Sequence, residues 1–505
     1  MLGRTCAVAL LGLRGHVVEV EAHLATSLPA FSLVGLPDAS LAEARDRVRA
    51  AVTSSGLAWP NRRITVNLSP ATLPKTGSAF DLAVAVAVLA GAGLVEAASA
   101  AAWVHVGELG LDGRVRPVRG VLPAVAAAVA AGRPRVVVPV GNAAEARLVP
   151  GAEVLAAEHL AQVAAHHGAD VEVPDVEPVP DVPSAPPTGE ALDLADVRGQ
   201  EEARLGVEVA AAGGHHLLLV GPPGTGKTML AARLPGVLPD LDEADAVEVT
   251  AVHSIAGTFD PARGLLRRPP FEDPHHTATP ASVVGGGSGM PRPGAASRAH
   301  RGVLFLDEAP EFTTGVLQTL RQPLEHGELV LHRAGGAARY PARFQLVLAA
   351  NPCPCGRAVG KGLDCTCRPE QRRRYFGKLS GPLLDRVDLQ LEVPASRAAD
   401  APGEDSATVA ARVLAARAAQ HERWRAGGWR TNAEVPARAL HAALGADGRL
   451  LADLHRAVDR GTLSLRGADR VLRVAWTLAD LDGRAGPERG DVGRALALRT
   501  RGHGA

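Results

Sequence analysis

The sequence predicts an α/β fold in three parts: an α+β domain, a core of parallel strands joined by helices, and a helical C-terminal part. Three observations predict this arrangement. Short apolar runs alternate with helical patterns in the middle of the chain, as in buried parallel sheets. A proline-rich segment precedes them and cannot form a helix or a central strand. After residue 395 the apolar spacing is helical and carries no strand signal.

Length and composition agree with a globular protein of several domains. The 505 residues exceed one ordinary hydrophobic core, so two or three domains are expected. Hydrophobic residues make up 46% of the chain and charged residues 21%, which is typical of a water-soluble protein. Because the formal net charge is zero, a nucleic-acid partner would need a local basic surface.

The sequence gives no signal for a membrane or for secretion. No run approaches the roughly 20 uncharged apolar residues that span a bilayer. The apolar stretch 7–13 is short, is followed by Arg14 and His16, and continues into strand-like residues, so we do not interpret it as a signal peptide. We therefore expect a cytoplasmic protein without a membrane partner.

The proline-rich segment divides the chain into domains. Residues 171–190 contain six prolines among acidic residues and predict an extended linker. We expect an N-terminal domain at 1–170, a strand-and-helix core at 191–395, and a helical lid at 396–505.

Each domain has its own predicted elements. In the N-terminal domain the strands are Val17–Ala22, Arg63–Leu68 and Val136–Pro139, and the helices are Leu41–Ser54, Asp81–Leu89 and Leu122–Ala131. In the core the strands are Leu217–Val220, Val303–Leu306 and Phe344–Ala350, and the helices are Thr228–Leu234 and Gly315–Glu325. The lid helices lie within Ser406–Gln420, Ala437–Asp459 and Arg466–Asp482.

A phosphate-binding loop follows the first core strand and opens a helix, matching G-x-x-x-x-G-K-[ST] in full. Its residues are Gly221, Pro222, Pro223, Gly224, Thr225, Gly226, Lys227 and Thr228. Glycines let backbone N–H groups surround phosphates, and the helix N-terminus favours the anion. Lys227 would supply charge to the β- and γ-phosphate oxygens, and Thr228 would offer a hydroxyl to Mg²⁺. ATP and Mg²⁺ are therefore the predicted cofactors.

Two acidic residues end the second core strand. Asp307 and Glu308 follow it directly, and ligands of α/β sheets bind at the carboxyl ends of the strands. Asp307 is predicted to orient the hydrated Mg²⁺, and Glu308 to act as general base on the attacking water. A solvated turn is the alternative.

Four segments together resemble one family. They are Gly221–Thr228, Gly302–Phe312 (GVLFLDEAPEF), Tyr340–Gly356 (YPARFQLVLAANPCPCG) and Ser380–Pro394 (SGPLLDRVDLQLEVP). They resemble the YifB/ComM-type, magnesium-chelatase-like AAA+ ATPases. The resemblance implies a hexameric ring with an N-terminal Lon-protease-like domain. It also implies the function of the ComM members, which are DNA helicases that promote branch migration when incoming single strands are integrated during natural transformation.

The resemblance assigns three further residues to the nucleotide site. Asn351, at the end of the third core strand, would position the lytic water, although it could be an ordinary turn residue. Arg386 lies in a segment similar to the arginine finger that enters a neighbouring subunit's site, although a surface pair with Asp388 is the alternative. Arg466 is the choice for a lid arginine acting in cis (sensor 2), with Arg470 one helical turn further on.

The N-terminal domain resembles Lon proteases without their catalytic dyad. The segment Pro74–Ala79, which contains Ser78, resembles the one that carries the nucleophilic serine but is one residue shorter. Leu122 stands where the general-base lysine should be. A serine without a base is a poor nucleophile. We therefore expect this domain to serve binding or assembly rather than proteolysis.

Four of the five cysteines lie on one short stretch, residues 353–367. They form two C-x-C pairs, Cys353 with Cys355 and Cys365 with Cys367. Two such pairs can close a tetrahedral Cys₄ site, which zinc favours. Structural zinc is the preferred interpretation, and free thiols, a redox site or another metal are the alternatives.

A predicted β-hairpin with its turn at residues 332–339 carries the candidate DNA contacts. Related AAA+ proteins insert such a hairpin into the central pore, and Arg333 is the tentative DNA contact, with Arg339 a weaker candidate. Further basic candidates are Arg292 and Arg298 beside the glycine-rich loop 285–289, and the run 372–374. Solvated surface turns are the alternative for each of them.

The leading hypothesis is an ATP-driven ring motor that acts on single-stranded or branched DNA. A chelatase-type, ATP-driven protein remodeller is the alternative from another class. An ATP-dependent protease is disfavoured by Leu122. Because each subunit of a ring would bring its own basic residues to the pore, we expect strongly salt-dependent DNA binding.

Overall fold

A computed structural model describes most of the chain. The described residues are 1–35, 43–75, 77–175, 192–287, 291–333, 336–358, 363–379, 381–395, 401–444 and 450–500. Of Arg333, Gly336, Gly381, Pro382 and Thr500 only the backbone is described. Most of the predicted linker, residues 176–191, therefore lies outside the described residues.

The N-terminal part contains nine described strands. They are Leu2–Leu11 (β1), Arg14–Ala25 (β2), Ala30–Val34 (β3), Arg63–Ser69 (β4), Val104–His105 (β5), Glu108–Leu109 (β6), Val115–Arg116 (β7), Arg135–Pro139 (β8) and Glu153–Ala157 (β9). Seven of them form a mixed sheet in the order β3-β4-β2-β1-β5-β8-β9, and β6 pairs with β7. The three predicted strands are confirmed within β2, β4 and β8.

The stretch 7–13 belongs to the longest hairpin of this sheet. Strands β1 and β2 pair antiparallel along their whole length, with Leu11 opposite Arg14 at the turn. Alternate residues of β2, including Val18 and Val20, are buried against the helices. This alternation is the pattern of a strand with one face in the core.

Six described helices accompany the N-terminal sheet. They are Ala44–Ser54, Asp81–Ala92, Ala97–Ala102, Val121–Ala130, Val140–Ala146 and Leu160–His166. The helix Asp81–Ala92 is buried almost throughout because small apolar residues occupy all its faces. The predicted helices at 81–89 and 122–131 are confirmed to within a few residues.

Nine further strands follow. They are Leu217–Val220 (β10), Phe271–Glu272 (β11), Gly285–Gly286 (β12), Arg292–Pro293 (β13), Val303–Leu306 (β14), Glu328–Arg333 (β15), Gly336–Pro341 (β16), Gln345–Ala350 (β17) and Leu389–Glu392 (β18). Five of them form a parallel sheet in the order β11-β14-β17-β10-β18. The predicted core strands are thus confirmed, and β12–β13 and β15–β16 are separate antiparallel hairpins.

The strand order of the core sheet sets the place of the site. From β10 the chain crosses to the far edge, returns to pair β17 with one side of β10, and then places β18 on its other side. The loop after β10 therefore lies where the connections diverge, the usual position for a ligand in an open parallel sheet.

The core helices flank this sheet. They are Glu201–Gly213, Lys227–Val237, Glu243–Ala256, Pro280–Val284, Ala295–Arg298, Thr314–Thr319, Arg321–His326, Pro369–Gly377 and Gly381–Leu384. The predicted single helix Gly315–Glu325 is wrong in one respect, because the structure divides it at Leu320 into two short helices.

The C-terminal part is helical, as predicted. Its described helices are Ser406–Trp424, Ala437–Leu444, Ala452–Asp459, Leu465–Leu481 and Arg489–Thr500. Two of them, Ser406–Trp424 and Leu465–Leu481, pack on the core helix Glu201–Gly213, where Arg417 donates two hydrogen bonds to the Ala211 carbonyl at 2.9 and 2.6 Å. The last of these helices was not predicted.

The N-terminal part packs directly against the core. The buried carboxylate of Glu145 accepts hydrogen bonds from the Leu122 backbone, at 3.0 Å, and from the Ser254 hydroxyl. At a second place, Gly12 in the β1–β2 turn packs against the backbone of Arg339 in β16 so closely that a Cβ at Gly12 would lie 2.2 Å from the Arg339 oxygen. Within the described ranges, no helix is both long and apolar enough to span a bilayer.

Candidate nucleotide-binding site

The phosphate loop joins β10 to the helix Lys227–Val237, as its sequence pattern predicts. Gly224 and Gly226 have φ of 78° and 86°, a left-handed conformation that costs glycine little. Gly221 lies so close to the neighbouring β18 segment that a Cβ would be 2.3 Å from the Val393 oxygen. These glycines therefore meet both a conformational and a steric requirement.

Lys227 reaches back over the loop. Its Nζ donates to the carbonyls of Gly221 at 2.6 Å and Pro222 at 2.9 Å, and to Asn351 Oδ1 at 3.2 Å. The side chain is largely buried, and burial lowers its pKa, whereas Asp307 and Glu308 act in the opposite direction. The ammonium thus lies among oxygens at the loop, where phosphate oxygens could take their place.

Thr228 and Asp307 are adjacent, as a shared Mg²⁺ would require. The Thr228 hydroxyl donates to Asp307 Oδ2 at 2.7 Å, and Asp307 Oδ1 accepts the Glu308 backbone N–H at 2.8 Å. Hydroxyl and carboxylate oxygens are the ligands that Mg²⁺ prefers. The residues present therefore fit the predicted ion.

Glu308 projects from a left-handed turn at the end of β14, with φ of 49°. Its carboxylate is half exposed and lies 3.4 Å from His276 Nδ1. A carboxylate beside the loop and open to solvent could accept a proton from a water molecule. His276 was missed by the sequence reasoning, since a histidine in an irregular segment has no pattern that marks it.

Asn351 follows β17, the strand between β14 and β10, and its side chain reaches Lys227. The structure thus brings Lys227, Thr228, Asp307 and Asn351 to one edge of the sheet. Their convergence follows from parallel strands, whose carboxyl ends share an edge.

Arg386 lies away from this group, at the amino-terminal edge of the same sheet. It forms an ion pair with Glu325 on the helix Arg321–His326. Burial lowers the pKa of Arg386, and the nearby arginines 321, 470 and 466 lower it further.

The alternative of an Arg386–Asp388 surface pair is wrong. Asp388 is buried, and its carboxylate contacts Arg470 at 2.5 Å and His215 at 3.4 Å. Burial opposes its ionisation, but Arg470 and His215 lower the pKa of Asp388 on balance. The Asp388 backbone donates to the His216 carbonyl at the start of β10, which places it at the amino-terminal edge.

Arg466 lies in the lid, close to Arg386. It is one helical turn before Arg470, which contacts Asp388, and its charge acts on Arg386. Arg466 and Arg386 therefore share the edge opposite to the phosphate loop. The structure thus places Arg466 near Arg386, and its assignment as a cis-acting arginine stays a prediction.

The four cysteines of the stretch 353–367 come together. Sulfur separations are 3.3 Å for Cys353–Cys355, 3.6 Å for Cys353–Cys365 and 3.7 Å for Cys355–Cys365. All four sulfurs, including that of Cys367, lie within 4.8 Å of one another. The predicted grouping of two C-x-C pairs is therefore present.

The candidate DNA-contacting residues differ in their surroundings. The side chain of Arg333 lies outside the described residues. Arg339 lies within β16 rather than in the turn and pairs with Glu328 at 3.1 Å. Arg298 binds Glu272 through two hydrogen bonds of 3.0 and 2.7 Å, so it is a structural residue.

The N-terminal candidates Ser78 and Leu122 have different surroundings. The Ser78 hydroxyl donates to the carboxylate of Glu108. Leu122 is 1% exposed and belongs to an apolar cluster with Val8 and Val125. The Leu122 side chain therefore contributes to packing.

Three family models match successive parts of this chain. "Subunit ChlI of Mg-chelatase" matches residues 20–142, "Magnesium chelatase, subunit ChlI" matches residues 193–401, and "Magnesium chelatase, subunit ChlI C-terminal" matches residues 403–499. Together they cover part of the N-terminal sheet, the core sheet and the helical C-terminal part.

Whole-chain relatives are also similar. An uncharacterized protein of Mycobacterium tuberculosis is 53% identical, covering 99% of each chain. Uncharacterized protein YifB of Escherichia coli is 42% identical, covering 94% of this chain and 92% of its own. Competence protein ComM of Haemophilus influenzae is 40% identical, covering 97% and 96%.

The chain belongs to the YifB/ComM-type, magnesium-chelatase-like AAA+ family. AAA+ proteins of this kind are generally ATPase-like, and membership therefore agrees with the nucleotide and Mg²⁺ ligands of the site.

Proposed function

We propose that this chain is the ATP-hydrolysing subunit of a hexameric ring motor that acts on DNA. The observation that supports this most is the separation of the hydrolytic groups. Lys227, Asp307 and Asn351 meet at one edge of the core sheet, whereas Arg386 lies at the other. Four strand residues span about 13 Å, so Arg386 serves a neighbour's nucleotide better than its own.

Each residue then has a defined role. Lys227 would exchange its carbonyl contacts for phosphate oxygens, and Thr228 and Asp307 would hold the Mg²⁺, which would neutralise phosphate charge. Glu308 accepts the proton of the attacking water. Asn351, beside Lys227, positions that water.

The positive charge that hydrolysis requires comes from the neighbouring subunit. Arg386 is the finger, and such a finger is typically worth ~10³–10⁵ in rate. Arg466, on the same edge, would approach the same nucleotide in trans. Incomplete sites on single subunits make turnover depend on assembly.

DNA is the proposed substrate of the motor. One relative is named a competence protein, and the hairpin β15–β16, with Arg333 at its tip, is the proposed contact with the strand. We propose a helicase that promotes branch migration of incoming single-stranded DNA in the cytoplasm. The N-terminal domain, Lon-like and without a protease dyad, would support binding or assembly.

The decisive experiment incubates fluorescent forked or three-stranded DNA with protein and ATP. ATP-dependent strand movement by the wild type, and its loss in Lys227→Ala, is the expected result. Good ATPase activity without strand movement would contradict the helicase function. Casein included in the same reaction should remain intact.

The finger is tested separately. Arg386→Ala should abolish turnover while binding of a fluorescent ATP analogue remains, and Arg135→Ala is the matched control because Arg135 forms an exposed pair with Glu153 far from the site. Survival of turnover in Arg386→Ala would remove the finger assignment.

The second candidate is an ATP-driven remodeller of a protein partner, as in chelatase systems. The family models, all named for a magnesium-chelatase subunit, favour it. An ATPase that is unaffected by any DNA, but active in remodelling a protein partner, would support it over the DNA motor.

A further inference from the structure

Between Asn351 and the helix Pro369–Gly377, the chain brings its four cysteines together into one group. A metal bound tetrahedrally by four thiolates at about 2.3 Å would hold the sulfurs about 3.8 Å apart. The three separations among Cys353, Cys355 and Cys365, 3.3 to 3.7 Å, are close to that value, and Cys367 lies within 4.8 Å of each of them. A disulfide needs about 2.05 Å, so the group has the geometry of a metal site rather than of a bond.

The donor set also selects the metal. All four candidate ligands are sulfurs, which favour zinc or iron–sulfur chemistry over Mg²⁺ or Ca²⁺. Two C-x-C pairs enclosing a single centre fit one zinc ion, whose four-coordinate structural sites are closed to substrate. We infer a structural and not a hydrolytic role.

The first link to the nucleotide site runs through Asn351. Cys353 is fully buried and follows Asn351 by two residues. From the other end of the stretch, Tyr375 is buried, and the Asn351 backbone lies close enough to its hydroxyl to oppose the rise in pKa that burial causes. Both ends of the closed loop therefore bear on the residue that we propose positions the lytic water.

The second link runs through the phosphate loop itself. The turn Cys353–Gly356 is closed by a 2.9 Å hydrogen bond from the Gly356 N–H to the Cys353 carbonyl. A Cβ at Gly356 would lie only 2.6 Å from Pro223 Cδ. The turn that carries Cys353 and Cys355 therefore packs directly on the loop that would bind phosphate.

We propose that Cys353, Cys355, Cys365 and Cys367 hold one zinc ion, and that this ion positions Asn351 and Pro223 for ATP hydrolysis. The positioning part rests on the proposed ATPase function. Loss of the ion releases the turn, which shifts Asn351 relative to Lys227. Nucleotide binding depends mainly on Lys227 and Thr228, which β10 and the following helix hold, so binding persists while hydrolysis falls.

The test compares full-length wild type, Cys355→Ala and Cys6→Ala. Cys6 is the matched control, because it is a buried cysteine of the N-terminal sheet outside the group. Elemental analysis should give one zinc per chain for wild type and Cys6→Ala and a loss of zinc for Cys355→Ala. Turnover of Cys355→Ala should fall by about 100-fold, as misplacement by about 1 Å does, with ATP-analogue affinity retained.

Chelation of the wild type supplies a second measurement, in case Cys355→Ala fails to fold. Turnover should fall on zinc removal and return when zinc is added back in the presence of Mg²⁺-ATP. Wild type without bound zinc overturns the site, and a zinc-free protein with full turnover overturns the positioning role. A wild type that binds zinc but hydrolyses no ATP refutes the proposed function and leaves the zinc site established.

Discussion

At the scale of single residues, the ammonium of Lys227 lies where the polar and charged groups of the candidate site converge. It donates hydrogen bonds to two backbone carbonyls and to Asn351. Burial lowers its pKa, and the negative charges of the Asp307 and Glu308 carboxylates oppose that shift. A buried cation that is held only by neutral oxygens retains its attraction for an anion. The loop is therefore prepared for a phosphate group.

Glu308 tests the assignment of the general base. Glu308→Gln keeps the size of the side chain but cannot accept a proton, so hydrolysis should fall by about 10²- to 10⁴-fold with ATP binding retained. Turnover and equilibrium binding of an ATP analogue measure the two effects. Glu311→Gln is the matched control, since Glu311 lies three residues further on and contacts Lys378 at the surface.

An equal loss in the Glu311 variant, or an active Glu308 variant, would point to a different base. His276, 3.4 Å from the Glu308 carboxylate, would then be the first residue to replace.

Single residues were predictable where their spacing is local. The phosphate loop needs only a strand, a glycine-rich turn and a helix in succession, and Asp307 and Asn351 follow short buried strands directly. The role of Arg466 could not be derived in this way, because it depends on where the lid packs on the core. That packing is a long-range property, and local helical spacing carries no information about it.

At the scale of elements, the division at Leu320 places Glu325 on a helix of its own, where it pairs with Arg386. An arginine that pairs with its own subunit must leave that pair before it reaches a neighbour. If Arg386 acts as the proposed finger, its pair with Glu325 therefore competes with assembly of the active site.

Weakening this pair should favour the assembled state. Glu325→Gln removes the charge that pairs with Arg386. Because the Glu325 side chain is 44% exposed, solvent weakens the pair to about 0.2–1 kcal/mol, so half-maximal ATPase should occur at an up to about fivefold lower protein concentration. Titration of ATPase against protein concentration measures the shift. Glu328→Gln, which breaks the pair with Arg339 instead, should leave the midpoint unchanged.

The last helix shows how a charge network fastens an element that the sequence did not predict. Asp491, near the start of Arg489–Thr500, contacts Arg484 at 2.6 Å and Arg494 at 2.7 Å. Burial opposes its ionisation, yet these arginines lower the pKa of Asp491 to about 2. Because the apolar pattern of this helix is weak, helical spacing predicts no helix after residue 482.

The pH dependence of this network follows from the sign of the shift. The folded pKa of Asp491, about 2, lies below the unfolded value of about 3.9, so its stabilisation is present above about pH 4 and is lost toward pH 2. Asp491→Asn should lower the urea midpoint of unfolding at pH 7. Its difference from wild type should narrow below pH 4, whereas Asp459→Asn, at an exposed position, should match wild type throughout.

At the scale of the whole molecule, the N-terminal part and the core meet through Leu122 and Glu145. Glu145 is 5% exposed and accepts hydrogen bonds from both the Leu122 backbone and Ser254 of the core. Leu122, at the position where Lon proteases would carry the general base, therefore lies next to the contact between the two domains.

Placing a lysine at position 122 tests whether the general base is all that this domain lacks for protease activity. Leu122→Lys buries an amine in an apolar cluster, which costs several kcal/mol unless the amine is neutral, so the melting temperature should fall and casein should remain uncleaved. Ala130→Lys, at the exposed end of the same helix, should melt like wild type. Casein cleavage by Leu122→Lys would show that only the base was missing.

The close packing of Gly12 on the Arg339 backbone has a mechanical consequence. Because the β1–β2 turn packs on strand β16, the hairpin β15–β16 cannot move independently of the N-terminal sheet. If β15–β16 moves with each ATP cycle, the β1–β2 turn must follow it or part from it. In the proposed ring, a fluorescent label at the exposed Arg14 would then report the movement of the hairpin in each ATP cycle. The N-terminal sheet would transmit that movement away from the hairpin.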